Sequence, residues 1–104
     1  MNTITAAITA VGGYVPDFVL SNKLLETMVD TNDEWITSRT GIQERRILKG
    51  EGLGTSFLAI NAAKDLIKRS GVNPAEIDLV IVATATPDML VASTAVFVAT
   101  QIGA

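Results

Sequence analysis

The chain has 104 residues, 48% of them hydrophobic and 18% charged, with a formal net charge of −3. This composition provides enough apolar material for a core and argues against disorder, and the acidic balance gives no reason to expect a nucleic acid partner. The chain has no cysteine and no histidine, which excludes disulfides and a thiolate nucleophile within it and argues against a zinc site.

The first part of the chain predicts a buried strand. β-Branched residues and alanine dominate residues 4–11, and Gly12-Gly13 ends the run, which is typical of a strand covered on both faces.

The N-terminus lacks the basic segment of a signal peptide, and no apolar run is long enough to span a bilayer. We therefore expect a cytoplasmic protein that does not enter a membrane.

Two short helices are predicted next. Ser21 is suited to cap a helix over residues 22–28. Thr31 begins a capping-box pattern with Glu34, which predicts a helix of about two turns ending near Gly41, where glycine suits the left-handed conformation.

The second half of the chain predicts a loop, two helices and a second strand. Residues 43–54 are charged and rich in glycine, which indicates a surface loop. A helix then begins at Thr55 or Ser56 and ends at Gly71. A turn at residues 73–76, a buried strand at 78–85, a break at 86–88 and a helix at 93–102 follow.

This order predicts an α/β fold built on a right-handed βαβ unit. A parallel sheet of only two strands is a poor independent fold, because both faces and both edges need cover. We therefore interpret residues 1–104 as one incomplete half-domain without an internal boundary, the front part of a larger α/β domain.

The candidate site lies around the single tryptophan. Trp35 and Arg39 are four positions apart, so a helix would place indole and guanidinium side by side. A flat aromatic ring beside a flat cation can bind a base and a phosphate, which suggests a nucleotide-like ligand. The alternative for Trp35 is ordinary core packing, and for Thr31 a purely structural role as a helix cap.

Two further patterns leave alternatives open. The basic residues Arg39, Arg45, Arg46 and Lys49 indicate either a solvated face or attraction for phosphates or an acidic protein partner. The glycines of residues 50–54, ahead of a helix start, indicate either a mobile loop or, less typically, a phosphate cradle.

Several motifs in this order resemble those of one enzyme family. They are residues 12–16 (GGYVP), 30–36 (DTNDEWI), 39–42 (RTGI), 44–46 (ERR), and 82–84 with 93–95 (VAT and STA). Together they resemble the N-terminal part of β-ketoacyl-acyl-carrier-protein synthase III, and the resemblance covers essentially the whole chain. It implies a partial thiolase-like fold, the first part of the N-terminal α/β half of an α/β/α/β/α layered structure.

The resemblance also implies a function for the intact enzyme. Such an enzyme condenses an acyl-CoA primer with malonyl-acyl-carrier-protein, starts type II fatty-acid synthesis and is a homodimer. Its Cys-His-Asn triad would lie beyond Ala104, so no catalytic residue is assigned in this chain, nor any metal ligand or permanently bound cofactor. Acyl-CoA is the expected substrate and acyl carrier protein the expected partner.

The resemblance assigns four residues of this chain to sites. Thr31, Trp35 and Arg39 would bind the nucleotide end of CoA, with the indole stacked on adenine. Val91 stands where the family commonly has a phenylalanine that reaches across the dimer and closes the partner's acyl pocket. Two alternatives stay open: a related condensing enzyme of the polyketide or 3-hydroxy-3-methylglutaryl-CoA synthase type, and a non-catalytic CoA- or nucleotide-binding module.

Overall fold

The computed structural model describes residues 3–104, which form two compact units. One unit, Val15–Leu53, is here called the hairpin unit. The other, the helical unit, combines the described residues up to Tyr14 with Gly54–Ala104. Compact units within a chain need not be independent domains, so the single incomplete half-domain stays a prediction.

The hairpin unit contains the two strands that pair in the described residues. They are β1 (Phe18–Ser21) and β2 (Glu44–Ile47), antiparallel, with Phe18 opposite Ile47 and Ser21 opposite Glu44. The loop predicted over residues 43–54 is therefore wrong at its start. A strand forms there in spite of its charged sequence because β1 supplies the hydrogen-bonding partner.

Between the strands lie the helices α1 (Asn22–Glu26) and α2 (Asp33–Thr40). The predicted Ser21 cap is confirmed, since its Oγ accepts a hydrogen bond from the Leu24 amide at 3.2 Å. Helix α1 ends earlier than predicted because the Thr27 hydroxyl and amide both donate to the Leu24 carbonyl, at 2.7 and 3.2 Å.

The start of α2 differs from the prediction by one residue. Asn32, not Thr31, is the N-cap; its extended backbone lets Oδ1 accept from the Trp35 amide at 2.8 Å. Both residue types can cap a helix, so the sequence pattern alone fits either register. The predicted end is confirmed, because Gly41 has φ of 70° and its amide donates to the Thr37 carbonyl.

The helical unit is built on α3 (Thr55–Ser70) and α4 (Thr94–Ile102), which pack against each other, with a 3₁₀ turn at Pro74–Glu76 between them. Gly71 ends α3 with φ of 70°, as predicted, and the Ser93 side chain caps α4. Within residues 3–104, no helix combines the length and the apolar character that crossing a bilayer requires.

The strands predicted at residues 4–11 and 78–85 do not form in the described chain. Their apolar side chains are open to solvent instead: Ile4 is 98%, Ile8 90%, Leu79 74% and Ile81 79% exposed. A strand needs a hydrogen-bonded neighbour, and these segments have none. Among the described residues, Ile36 and Val98 are the only hydrophobic side chains that are less than a tenth exposed, so the apolar surfaces of the sequence are largely uncovered.

Residues 12–13 are held against α3. A Cβ on Gly12 would lie 2.5 Å from the Leu66 amide nitrogen, so a larger residue would collide with the helix backbone. The Gly13 amide donates to Asp65 Oδ2 at 3.0 Å, and Asp65 also pairs with Arg69 at 2.9 Å. These bonds, that of Gly13 first, hold the pKa of the Asp65 carboxyl below its ordinary value.

Candidate functional site

Helix α2 presents an aromatic ring and a cation together. The Arg39 guanidinium carbon lies 4.5 Å from the centroid of the Trp35 ring, and Trp35 is 51% exposed. The predicted adjacency of the two side chains is thus confirmed, whereas their role in binding stays a prediction. An indole that is half exposed and already paired with a cation offers a flat surface on which a heterocyclic base can stack.

The loop before α2 forms a cleft beside that ring. Asp30, Thr31, Asn32 and Trp35 line an open cleft of about 310 Å³. Because Asn32 is the helix cap, the Thr31 hydroxyl is not engaged in capping and belongs to the wall of the cleft. Carboxylate, hydroxyl and amide groups there can accept or donate hydrogen bonds to the polar edge of a base or to a sugar hydroxyl.

A buried asparagine connects the elements that carry this face. The Asn22 side chain is 1% exposed, and its Nδ2 donates to Asp33 Oδ1 and to the Ile42 carbonyl, each at 2.7 Å. Its Oδ1 accepts from Arg45 Nη2 at 2.8 Å. One amide therefore ties together α1, the first turn of α2, the end of that helix and strand β2.

The first turn of α2 carries the carboxylate of this network. Asp33 Oδ1 also accepts from the Thr37 hydroxyl at 3.1 Å, and the Asp33 amide donates to Glu26 Oε1 at 2.6 Å. The hydrogen bond from Asn22, and next that from Thr37, lowers the pKa of the Asp33 carboxyl. The carboxylate is thereby kept ionised near the positive end of the helix dipole.

The predicted basic cluster is dispersed over separate contacts. Arg45 is part of the Asn22 network and not of a solvated face, and it is only partly exposed. Arg46 donates to the Pro16 carbonyl at 3.1 Å, and the Lys49 ammonium lies 3.4 Å from the Phe18 ring centroid. Of these cations, Arg39 is the one placed beside the cleft-lining Trp35. Within residues 3–104, no cluster of three carboxylates suited to a metal ion forms.

The remaining predicted site residue lies in the helical unit. Val91 is 99% exposed, as is Leu90. The glycine-rich segment before α3 is not an open phosphate cradle, because Asp88 Oδ1 accepts from the Ser56 amide at 2.7 Å. The chain's own carboxylate therefore occupies the position at the helix N-terminus.

The sequence interpretation missed Asn22, Asp33 and Arg45 as a network. The one local signal was Asn22 itself, a weak helix former placed at the first helical position behind a good cap. Its partners lie 11 to 23 residues away, and no pattern of spacing pointed to them.

Similar curated proteins and similar solved structures point to the same family. No family model matches the chain. Over 103 residues the chain is 56% identical to the β-ketoacyl-acyl-carrier-protein synthase III 2 of Bacteroides thetaiotaomicron, covering 99% of this chain. A synthase III of Porphyromonas gingivalis is also 56% identical over the same length. The chain spans about 31% of the length of these curated relatives.

Solved structures resemble the fold closely. The 3-oxoacyl-acyl-carrier-protein synthase III of Aquifex aeolicus matches 91% of this chain with a TM-score of 0.84 and 46% identity, over 30% of its own length. The synthase III of Thermus thermophilus matches 94% with a TM-score of 0.85 and 46% identity, also over 30% of its length. A priming β-ketosynthase of a polyketide pathway matches 92% with a TM-score of 0.85 and 36% identity, over 28% of its length.

Proposed function

Because the chain belongs to the β-ketoacyl-acyl-carrier-protein synthase III family and has part of its thiolase-like α/β fold, we propose that it binds the nucleotide end of an acyl-CoA substrate. The intact enzyme is then a cytoplasmic homodimeric acyltransferase. It joins an acyl-CoA primer to malonyl-acyl-carrier-protein and so initiates type II fatty-acid synthesis. Acyl-CoA is a substrate in this proposal, and no permanently bound cofactor is involved.

The single observation that carries the proposal is the Trp35–Arg39 pair. The single tryptophan of the chain is half exposed, and its ring lies 4.5 Å from the Arg39 guanidinium carbon. Adenine stacks on an indole face, and a neighbouring guanidinium can approach the phosphates of CoA. No other part of the described chain combines an exposed large aromatic ring with a cation stacked on it and an adjoining cleft.

The polar cleft beside the ring supports the same assignment. Asp30 and Thr31 offer oxygens to the polar edge of a base or to a ribose hydroxyl. A carboxylate repels phosphate, so Asp30 favours a pose with the base and ribose in the cleft and the phosphates toward Arg39. We propose that Thr31, Trp35 and Arg39 together orient the nucleotide in this way.

The chemistry itself requires groups outside this chain. Acyl transfer to an enzyme needs an activated nucleophile, and decarboxylative condensation needs polar groups that stabilise an enolate-like charge. With no cysteine and no histidine, residues 1–104 supply neither a thiolate nor an imidazole. We therefore expect the purified 104-residue chain to give no condensation product from acetyl-CoA and malonyl-acyl-carrier-protein.

The measurement is product formation followed by mass spectrometry of the carrier-protein adduct. The full-length enzyme that carries this segment serves as the positive control and should turn over. Sustained turnover that co-purifies with the short chain would contradict the proposal that the catalytic groups lie outside residues 1–104. A full-length enzyme that binds CoA without any condensation would instead favour the non-catalytic CoA-binding module.

A second prediction concerns primer choice at Val91. In the proposed dimer this side chain lines the partner's acyl pocket, and valine leaves more room than phenylalanine. An apolar pocket gains roughly 0.8 kcal/mol for each CH₂ it can newly bury. We expect Val91→Phe to lower kcat/KM for a six-carbon or branched acyl-CoA relative to acetyl-CoA.

The matched control is Leu90→Phe, because Leu90 is equally exposed and adjacent. An equal change in both variants would indicate a general effect of bulk on the loop. An unchanged ratio in Val91→Phe would remove Val91 from the acyl pocket.

A second candidate function is favoured by one comparison. The similarity to a priming β-ketosynthase of a polyketide pathway is as close in structure as that to the synthase III enzymes, with a TM-score of 0.85. Such an enzyme would use the same nucleotide-binding face and differ in the primer and the fate of the product. Comparing acyl-CoA primers in the full-length enzyme separates the two.

A further inference from the structure

Residues 89–92 of the helical unit, here called the apolar tip, pack against little of the chain. Met89 is 57% exposed, and Leu90 and Val91 are each 99% exposed. A segment with so little packing keeps a defined position only through the bonds at its two ends.

We propose that Asp88 is the positioning residue that holds the apolar tip in place by binding the first turn of α3, and that it thereby influences primer selection. The effect on primers rests on the proposed function, in which the tip borders an acyl pocket. The anchoring itself rests only on contacts within the helical unit.

The anchor uses both oxygens of the carboxylate. Asp88 Oδ1 accepts from the Ser56 amide at 2.7 Å, and Oδ2 accepts from the Ser56 hydroxyl at 2.5 Å. Helix α3 has no cap of its own, since Gly54 at the N-cap lacks a side chain. The distant carboxylate thus provides the acceptor that a capping side chain normally supplies.

Gly54 makes this approach possible. A Cβ built on that residue would lie 2.8 Å from Asp88 Oδ2, closer than a carbon and an oxygen can pack. A side chain at the N-cap would therefore displace the carboxylate. Gly54 thus leaves the space that Asp88 needs to reach the first turn of α3.

A second bond restrains the same end of the tip. The Thr55 hydroxyl donates to the Thr86 carbonyl at 2.5 Å, and the Thr86 amide donates to Thr84 Oγ1 at 3.1 Å. At the other end, Ser93 caps α4, its Oγ accepting from the Ala95 amide at 3.3 Å. The tip is thus bracketed by the N-termini of two helices that pack against each other.

The test compares Asp88→Asn with the matched control Asp78→Asn in the full-length enzyme. Asp78 is exposed and lies in the same unit. Two quantities are measured: hydrogen exchange of the Ser56 and Thr86 amides, which are hydrogen-bonded at the anchored end of the tip, and the ratio of kcat/KM for a branched primer to that for acetyl-CoA. Asp88→Glu is included as the conservative variant, because it restores the charge.

In Asp88→Asn we expect exchange of these two amides to accelerate at least about fivefold, because a neutral carboxamide binds the Ser56 amide and hydroxyl less tightly than a carboxylate does and the anchor opens more often. The primer ratio should change by about threefold or more, with the CoA dissociation constant unchanged, because a loosened pocket wall discriminates less. Asp88→Glu should recover part of both effects, and Asp78→Asn should show neither.

Exchange of the Ser56 and Thr86 amides that stays as slow as in the parent enzyme would overturn the anchor. Faster exchange with an unchanged primer ratio would overturn the influence on primer selection. A parent enzyme without acyl-CoA condensation would refute the proposed function, while the exchange result would still decide on the anchor.

Discussion

Replacing Trp35 with alanine is expected to weaken CoA binding by the full-length enzyme by roughly 1–3 kcal/mol, the usual contribution of one base stacked on an aromatic side chain. Since about 1.4 kcal/mol corresponds to a factor of ten in affinity, the loss should be easily measured by calorimetric titration. The expectation follows from the exposed indole, its 4.5 Å contact with Arg39 and the adjoining cleft.

Two comparisons isolate the stacking contribution. A pantetheine ligand that lacks the nucleotide should bind the parent enzyme and Trp35→Ala alike, and Trp35→Phe should retain part of the affinity for CoA. Arg39→Ala should weaken CoA binding as well and reduce its dependence on salt, because one cation near the phosphates is removed. If Trp35→Ala weakened both ligands equally, the indole would be a structural residue and the proposed pose would be wrong.

Replacing Asn22 with alanine is expected to lower the free energy of unfolding by roughly 2–4 kcal/mol, because it leaves several buried polar groups without partners. The Ile42 carbonyl and the Arg45 guanidinium each lose a bond that joins two elements of the hairpin unit. Urea denaturation of the full-length enzyme measures the change. CoA affinity should fall as well, because the same network holds α2, the helix that carries Trp35, in place.

The matched control is Asn61→Ala. Asn61 is a partly buried asparagine on α3 whose side chain makes one hydrogen bond, from Nδ2 to the Phe57 carbonyl at 2.8 Å. Loss of this bond should lower the free energy of unfolding by only about 0.5–1.5 kcal/mol and leave CoA binding unchanged. Equal destabilisation by the two substitutions would show that Asn22 has no special role as a connector.

The Asn22→Ala variant should also change the titration of Asp33. The Asn22 hydrogen bond is the largest cause of the lowered pKa of this carboxyl, so Asn22→Ala should raise that pKa toward its ordinary value. A carboxyl with a lowered pKa stabilises the folded state above its unfolded pKa, and the contribution is lost as the pH falls through the lowered value. As the pH falls below the ordinary carboxyl pKa of 3.8, stability should therefore depend less on pH in Asn22→Ala than in the parent.

Local signals in the sequence were sufficient for several features. Ser21 as a cap, Gly41 and Gly71 as helix ends, and the Trp35–Arg39 pair all depend on residues within one or two turns of each other. Backbone geometry and side-chain chemistry over such short distances leave few alternatives. For this reason the surface of α2 could be predicted without the rest of the fold.

Features that depend on distant partners could not be predicted in this way. The segments 4–11 and 78–85 have the composition of buried strands, but no neighbouring strand pairs with them in the described chain. Strand β2 forms despite its charged sequence because β1 lies beside it. The networks of Asn22 and Asp88 join residues more than ten positions apart, and no periodicity in the sequence indicates such pairings.

The surface that we propose faces the nucleotide comes from one unbroken stretch of chain, Val15–Leu53. Both limits of this stretch fall outside helices and strands, between Tyr14 and Val15 and between Leu53 and Gly54. Genetic recombination at these two points would exchange the proposed nucleotide-binding segment between related synthases without cutting a helix or strand. Chimeras made in this way could acquire a different affinity for CoA while keeping the acyl-group preference of the recipient.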